Sequence, residues 1–130
     1  MLIEQAKVLV VDDDHTMRAY VANALKRLQA QQVQVAEDGQ AALAAIASFR
    51  PDVVLSDIHM APMDGLEMVR RLRAHPNVDL RKTKVVFMSA DRTPKTLSES
   101  VPLGIAGFIV KPPQAPALKL KLEQALKFCQ

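Results

Sequence analysis

Five short apolar runs recur along this chain, each followed by a longer stretch patterned for a helix, and that alternation constrains the fold more than any other feature. Residues 7–11 (KVLVV), 52–56 (DVVLS) and 85–88 (VVFM) are apolar, largely β-branched runs, the pattern of strands buried on both faces. Val33 and Val35 alternate with Gln32 and Gln34, so the strand there is expected to lie half exposed near a sheet edge. Residues 107–110 (GFIV) supply the fifth run. Between the runs, Met17, Tyr20, Val21, Ala24, Leu25 and Leu28 recur at helical spacing, and the alanine-rich stretch 41–49 is expected to turn Leu43, Ile46 and Ala47 inward. That helix ends at Arg50, because the residue before Pro51 is pushed out of helical geometry. Leu66, Val69 and Leu72 mark a third helix with Arg70, Arg71 and Arg73 facing water, and 75–83 reads as a polar loop. Pro94 suits the first turn of a fourth helix, which Pro102 leaves short, kinked or irregular. The last helix starts near Pro116, with Leu118, Leu122, Ala125 and Leu126 inward and Leu120 off the stripe.

Strands alternating with helices imply an α/β fold with a parallel sheet covered on both faces. Right-handed crossovers leave few topologies. The flavodoxin-like strand order 2-1-3-4-5 is expected, with strands one and three side by side at the switch point where ligands bind beyond the carboxyl ends of the strands. The 130 residues fit a single domain, 1–130, and the mix of 49% apolar with 24% charged residues is that of a soluble globular chain. The lone cysteine, Cys129, excludes a disulfide frame and a thiolate metal set. No apolar run reaches membrane-spanning length, and acids follow the first run at once, unlike a secretory signal, so a cytoplasmic protein is expected. The net charge of +3 is spread along the chain, with one Tyr and no Trp, which argues against nucleic acid as a partner.

The inferred strand ends carry the chemistry. Strand one ends in Asp12 and Asp13, strand three in Asp57, strand four in Ser89 and strand five in Lys111. Taken singly, each reads as well as a helix cap, a turn residue or a solvated charge. Acid, acid, hydroxyl and ammonium on one rim of one sheet fit those readings poorly. Three neighbouring carboxylates repel one another unless a cation intervenes, and their hard oxygens suit Mg²⁺. With that ion and Lys111, the rim could hold an additional phosphoryl group on Asp57.

At these residues the chain resembles the CheY-like response-regulator receiver domains of two-component signalling, over nearly its whole length. The matching pieces are VVDDDHTMR (10–18), the SD…MDG block (56–65), FMSA (87–90) and GFIVKP (107–112). The resemblance implies that Asp57 accepts a phosphoryl group from a sensor histidine kinase, a phosphotransfer protein or a small phosphodonor. It implies that Asp13, Asp57 and the His59 backbone carbonyl hold Mg²⁺ directly, with Asp12 acting through a water. Lys111 would pair with phosphoryl oxygens, and the Lys111–Pro112 bond would be cis. Ser89 and Phe108 would act as the switch that reports phosphorylation to the surface of the fourth helix, fifth strand and last helix, where a downstream protein binds.

The chain departs from the family pattern in places. Pro62 stands one position later than is usual in the loop after the phosphoacceptor, Ser89 stands for the commoner Thr, and Phe108 for a frequent Tyr. His59 and Asp91 are expected to flank the route of water to the acyl phosphate, either as solvated loop side chains or as groups that tune dephosphorylation. An aspartyl-phosphate hydrolase is disfavoured because Asp57 is followed by Ile58 and His59 rather than a D-x-D pattern, and no glycine-rich loop supports nucleotide or flavin binding. The expectation is a stand-alone receiver without an output domain, catalysing only its own phosphorylation and dephosphorylation. The alternatives are a receiver fragment of a longer regulator or kinase, and a docking pseudo-receiver that works without phosphorylation. Its kinase, target and oligomeric state are not specified by these residues.

Overall fold

In the computed structural model, which describes residues 1–90 and 94–127, the five apolar runs form parallel strands: β1 (Lys7–Val11), β2 (Gln32–Ala36), β3 (Val53–Asp57), β4 (Lys84–Ser89) and β5 (Gly107–Val110). Their order is β2-β1-β3-β4-β5, so β1 lies between β2 and β3, with Val10 opposite Val35 on one side and Leu55 on the other. The helices are α1 (His15–Arg27), α2 (Gly39–Phe49), α3 (Gly65–Arg73), the single turn α4 (Val78–Arg81), α5 (Pro94–Ser100) and α6 (Ala115–Leu126).

Strand alternation divides the interior into two cores. Leu9, Val54, Val85 and Phe87 point to one face, where Ala42, Ile46 and Phe49 of α2 and Leu66, Val69 and Leu72 of α3 cover them. Val8, Val10, Leu55, Val86 and Met88 point to the other, under Val21 and Leu25 of α1 and Leu118, Leu122 and Leu126 of α6. The strand-to-helix turns are set by acids that cap the helices. Asp14 accepts from the backbone N–H groups of Thr16 and Met17, Asp38 from that of Ala41, and Asp64 from that of Glu67. Each such cap contributes about 1 kcal/mol.

Most sequence expectations stand, including the half-exposed edge strand β2 and the exposed Leu120. Four need correction. The third strand is shifted one residue, so that Asp57 is its last member. On α2 the inward stripe is Ala42, Ile46 and Phe49; Ala47 is exposed, because it lies about 100° round the helix from Ile46. The stretch 75–83 is not all loop, since Asn77 caps the turn α4 and Leu80 plugs into the core. The fourth helix is short, as expected: Pro102 falls where α5 gives way to the 3-10 turn Val101–Leu103, which Gly104 closes at φ 70°.

Arg73 is the fourth correction, and it matters most for the architecture. Rather than facing water, its guanidinium reaches across the lower edge of the sheet. Nε donates to the Leu103 carbonyl at 2.8 Å, while Nη1 donates to the Arg81 and Thr83 carbonyls at 2.9 and 2.7 Å. One side chain therefore ties the end of α3 to the segments leading into β4 and β5. Burial depresses its pKa below the usual guanidinium value, and like other arginines in proteins it keeps its charge. Arg73→Met, which keeps the aliphatic stem and strands these carbonyls, is expected to lower unfolding free energy by about 2 kcal/mol in urea titration. A loss under about 0.5 kcal/mol would show that the clamp is not a structural tie.

Candidate functional site

The carboxyl ends of the strands meet at one rim, and the topology decides which side chains share it. Because β1 and β3 are neighbours, Asp12, the residue after β1, comes beside Asp57, the last residue of β3. Lys111 follows β5 and reaches back over the intervening β4 to both. Its Nζ lies 2.8 Å from Asp12 Oδ2 and 3.1 Å from Asp57 Oδ2. The other carboxylate oxygens are occupied locally: Asp12 Oδ1 accepts from the Asp14 N–H at 2.9 Å, and Asp57 Oδ1 from the Ile58 N–H at 2.8 Å. Asp12 is fully buried and Asp57 is 8% exposed, whereas Asp13 opens to solvent.

Burial pushes the Asp57 carboxyl above its ordinary pKa, and the Asp12 charge adds to the effect; the hydrogen bond and charge of Lys111 oppose it without cancelling it. For Lys111 the balance runs the other way. Burial pulls its pKa down, but the hydrogen bonds and charges of Asp12 and Asp57 together outweigh burial and hold it above the usual lysine value. The ammonium is thus fixed in its charged form, and the acid in the middle strand is the strained partner.

One oxygen from each of Asp12, Asp13 and Asp57 can be chosen so that all lie within 4.8 Å of one another. Asp12 Oδ2 is buried against the Lys111 ammonium. Three carboxylates this close, all hard oxygen donors with a single lysine against their three charges, fit a small divalent cation. The three acids form an acidic pocket suited to such an ion.

Gly65 lets the surrounding loop close. A Cβ on it would stand 2.5 Å from the Asp57 carbonyl oxygen and 3.1 Å from the Phe87 ring, so only glycine permits this approach. The Gly65 N–H donates to the Ile58 carbonyl at 2.7 Å and fastens the loop below Asp57. Both Ala61–Pro62 and Lys111–Pro112 are cis; the resemblance implied only the second.

Ser89, the last residue of β4, is buried on the same rim, and Phe108 lies half buried opposite Phe87, with ring centroids 6.0 Å apart. The His59 side chain is exposed at the edge of the site. Asp91 lies outside the described residues. Two supporting residues escaped the sequence reading. Arg18 Nη1 donates to the Asp12 carbonyl at 2.8 Å, and the Tyr20 hydroxyl donates to the Pro113 carbonyl at 3.1 Å, joining α1 to the segment after Lys111. Their place one turn into a helix that follows the acids was the only signal available.

With this geometry in hand, comparison with known proteins is specific. The family model of the response regulator receiver domain matches residues 8–123. Chemotaxis protein CheY-3 of Vibrio cholerae is 34% identical over 124 residues, covering 95% of this chain and 94% of that protein. Chemotaxis protein CheY of Pseudomonas aeruginosa is 33% identical over 118 residues, covering 91% of this chain and 94% of its own length. The solved structure of chemotaxis response regulator CheY4 of Vibrio cholerae superposes with a TM-score of 0.83 at 31% identity, covering 93% of this chain and 98% of that one.

A raised carboxyl pKa has a thermodynamic sign. Ionised Asp57 penalises folding once pH exceeds its unfolded-state value of about 3.8, and the penalty is absent below it. In a buffer free of divalent ions, Asp57→Asn should therefore be more stable than the native chain at neutral pH, by on the order of 1 kcal/mol. The two melting curves should converge as pH falls towards the unfolded-state value. A variant less stable than the native chain at pH 7 would contradict the stated electrostatics.

Proposed function

The chain belongs to the response regulator receiver domain family, and from that membership we propose that Asp57 is its phosphoacceptor and that phosphorylation switches a protein-binding surface. The observation that carries this reading is the Lys111 ammonium, 2.8 and 3.1 Å from the Asp12 and Asp57 carboxylates, whose oxygens lie within 4.8 Å of an Asp13 oxygen. An Asp57 carboxylate oxygen attacks the phosphorus of a phosphohistidine on a sensor kinase or phosphotransfer protein, or of a small phosphodonor. A P–O bond forms as the donor's bond to phosphorus breaks, leaving an acyl phosphate and the free imidazole or other leaving group. Lys111, already charged and positioned, transfers its attraction from the carboxylates to the phosphoryl oxygens. Asp13, Asp57 and the His59 carbonyl would hold Mg²⁺, with Asp12 acting through a water, and the bound ion would supply the remaining positive charge. Water later cleaves the P–O bond and returns the carboxylate with inorganic phosphate.

The signal leaves through residues on β4 and β5. The Ser89 hydroxyl turns to the new phosphoryl group, and Phe108 moves into the space behind it. The half-buried state of Phe108 in this structure supports two positions differing in burial. Phe108, Val110, Pro112 and Ala117 line a shallow cleft of about 420 Å³ between β5 and α6, the surface on which a downstream protein would read the change. Such action by protein contact agrees with the CheY relatives, which the chain spans nearly end to end. His59 and Asp91 are proposed to set how fast water reaches the acyl phosphate, which alanine substitutions and a timed loss of phosphate would test.

The deciding experiment is incubation with acetyl phosphate and Mg²⁺, followed by intact mass measurement. The native chain should gain one phosphoryl group, Asp57→Asn none, and Lys111→Met should react about a hundredfold more slowly. Removing Mg²⁺ with chelator should abolish the reaction. A phosphoryl group retained by Asp57→Asn would move the acceptor elsewhere and end this assignment.

A further inference from the structure

The opposite edge of the sheet, about 15 Å from Asp57 along the strands, holds a feature that the phosphoacceptor chemistry does not use. A cleft of about 570 Å³ opens where β3, β4 and β5 begin, and Arg50, Arg73, Arg81, Lys82 and Lys84 line it. It meets a neighbouring cleft of about 460 Å³ through the shared Lys84 and Gly104, and Lys127 adds a further cation to the lining of that second cleft. Only two carboxylates line the first cleft, and Asp52 is already engaged, accepting the Lys7 backbone N–H at 2.8 Å. Asp79 is exposed on the turn α4. Among the described residues, Arg50, Arg81, Lys82 and Lys84 make no ion pair. Arg73 is committed to backbone carbonyls, so it contributes charge to the cleft while its own bonds hold the walls in place.

Arg50 adds a second observation. It occupies the left-handed region at φ 51°, ψ 65°, directly after α2. Glycine is the usual residue there, and a side chain in that conformation costs about 1–2 kcal/mol. A cation near a helix carboxyl end recovers about 0.3–1 kcal/mol from the helix dipole, which falls short of that cost. What the arginine adds is a guanidinium on the wall of the cleft.

From this convergence we infer that the cleft is a binding site for a compact oligophosphate anion. Arg and Lys around a concavity match phosphate oxygens, which accept charge-assisted and bidentate hydrogen bonds. Among the described residues no aromatic side chain lines either cleft, so these residues offer no platform on which a nucleobase or an unpaired nucleic-acid strand would stack. An acidic peptide carries one charge per residue along an extended backbone. A di- or triphosphate concentrates several charges within a few ångströms, as the clustered cations require.

The test is titration of the full chain with inorganic tripolyphosphate, without divalent ions and with sodium chloride holding ionic strength constant, followed by amide NMR. The expected result is saturable binding with shifts centred on residues 50–52, 79–84 and 104. Arg81→Gln and Lys82→Gln should each weaken binding about tenfold, the scale of one lost charge-assisted contact. Arg50→Gly should also weaken binding while the melting temperature stays level or rises, a combination that a purely structural arginine would not produce. Non-saturable shifts, shifts centred on residues 12, 57, 89 and 111, or unchanged affinity in the variants would each overturn the inference. So would tighter binding of hexaglutamate at the same residues. Since no readout depends on phosphorylation of Asp57, failure here would leave the phosphoacceptor reading intact.

Discussion

One ammonium group between two buried carboxylates organises the rim at the carboxyl ends of the strands. The Lys111 ammonium spans Asp12 and Asp57 at 2.8 and 3.1 Å. Without it, two neighbouring buried acids would face each other with little solvent to screen them, a situation that raises carboxyl pKa values and favours protonation. With it, Asp57 is still held above its ordinary pKa, so the site stores an electrostatic imbalance rather than a relaxed salt bridge. A divalent ion at the three acids, or the rearrangement that accompanies a phosphoryl group, would relieve that imbalance. Buried charges arranged this way add little to stability.

The fold exists in a form that makes this contact possible. The strand order puts β1 beside β3, and the run after β5 returns Lys111 across β4. Helix caps at Asp14 and Asp64 turn the chain sharply off the rim on each side of the acids, while Gly65 allows the loop to press against the Asp57 carbonyl. At the opposite edge, Arg73 fixes the segments that lead into β4 and β5. The two edges therefore divide their work: acids and one lysine at the carboxyl ends, and an excess of basic groups at the amino ends.

Much of this was legible in the sequence, for definite physical reasons. Continuous runs such as KVLVV suit strands buried on both faces of a parallel sheet, and β1 and β5 have the bounds that their patterns suggest. The meeting of Asp12 with Asp57 followed from topology once five strands alternating with helices were recognised. What the pattern could not convey was local. Ala47 and Ala42 have the same side chain, so in an alanine-rich helix the inward face is chosen by the larger Ile46 and Phe49. Arg73 follows two other arginines, and composition makes all three look solvated. Only the tertiary position of three distant carbonyls singles one out. The turn α4 was hidden because its Asn77 cap and single buried Leu80 are too short to show a period. Arg18 and Tyr20 bind backbone carbonyls, a partnership with no signature in side-chain pattern.

The central claim is that Asp57 is electrostatically poised by burial and by Lys111, and the ionisation of its own carboxyl reports this most directly. ¹³C NMR titration of the Asp57 side chain, without divalent ions, should place its midpoint above the ordinary aspartate range. Lys111→Met should push that midpoint higher still, because the hydrogen bond and charge that favour the ionised form are lost. An Asp57 that titrates at the ordinary value, or one indifferent to the loss of Lys111, would contradict the account.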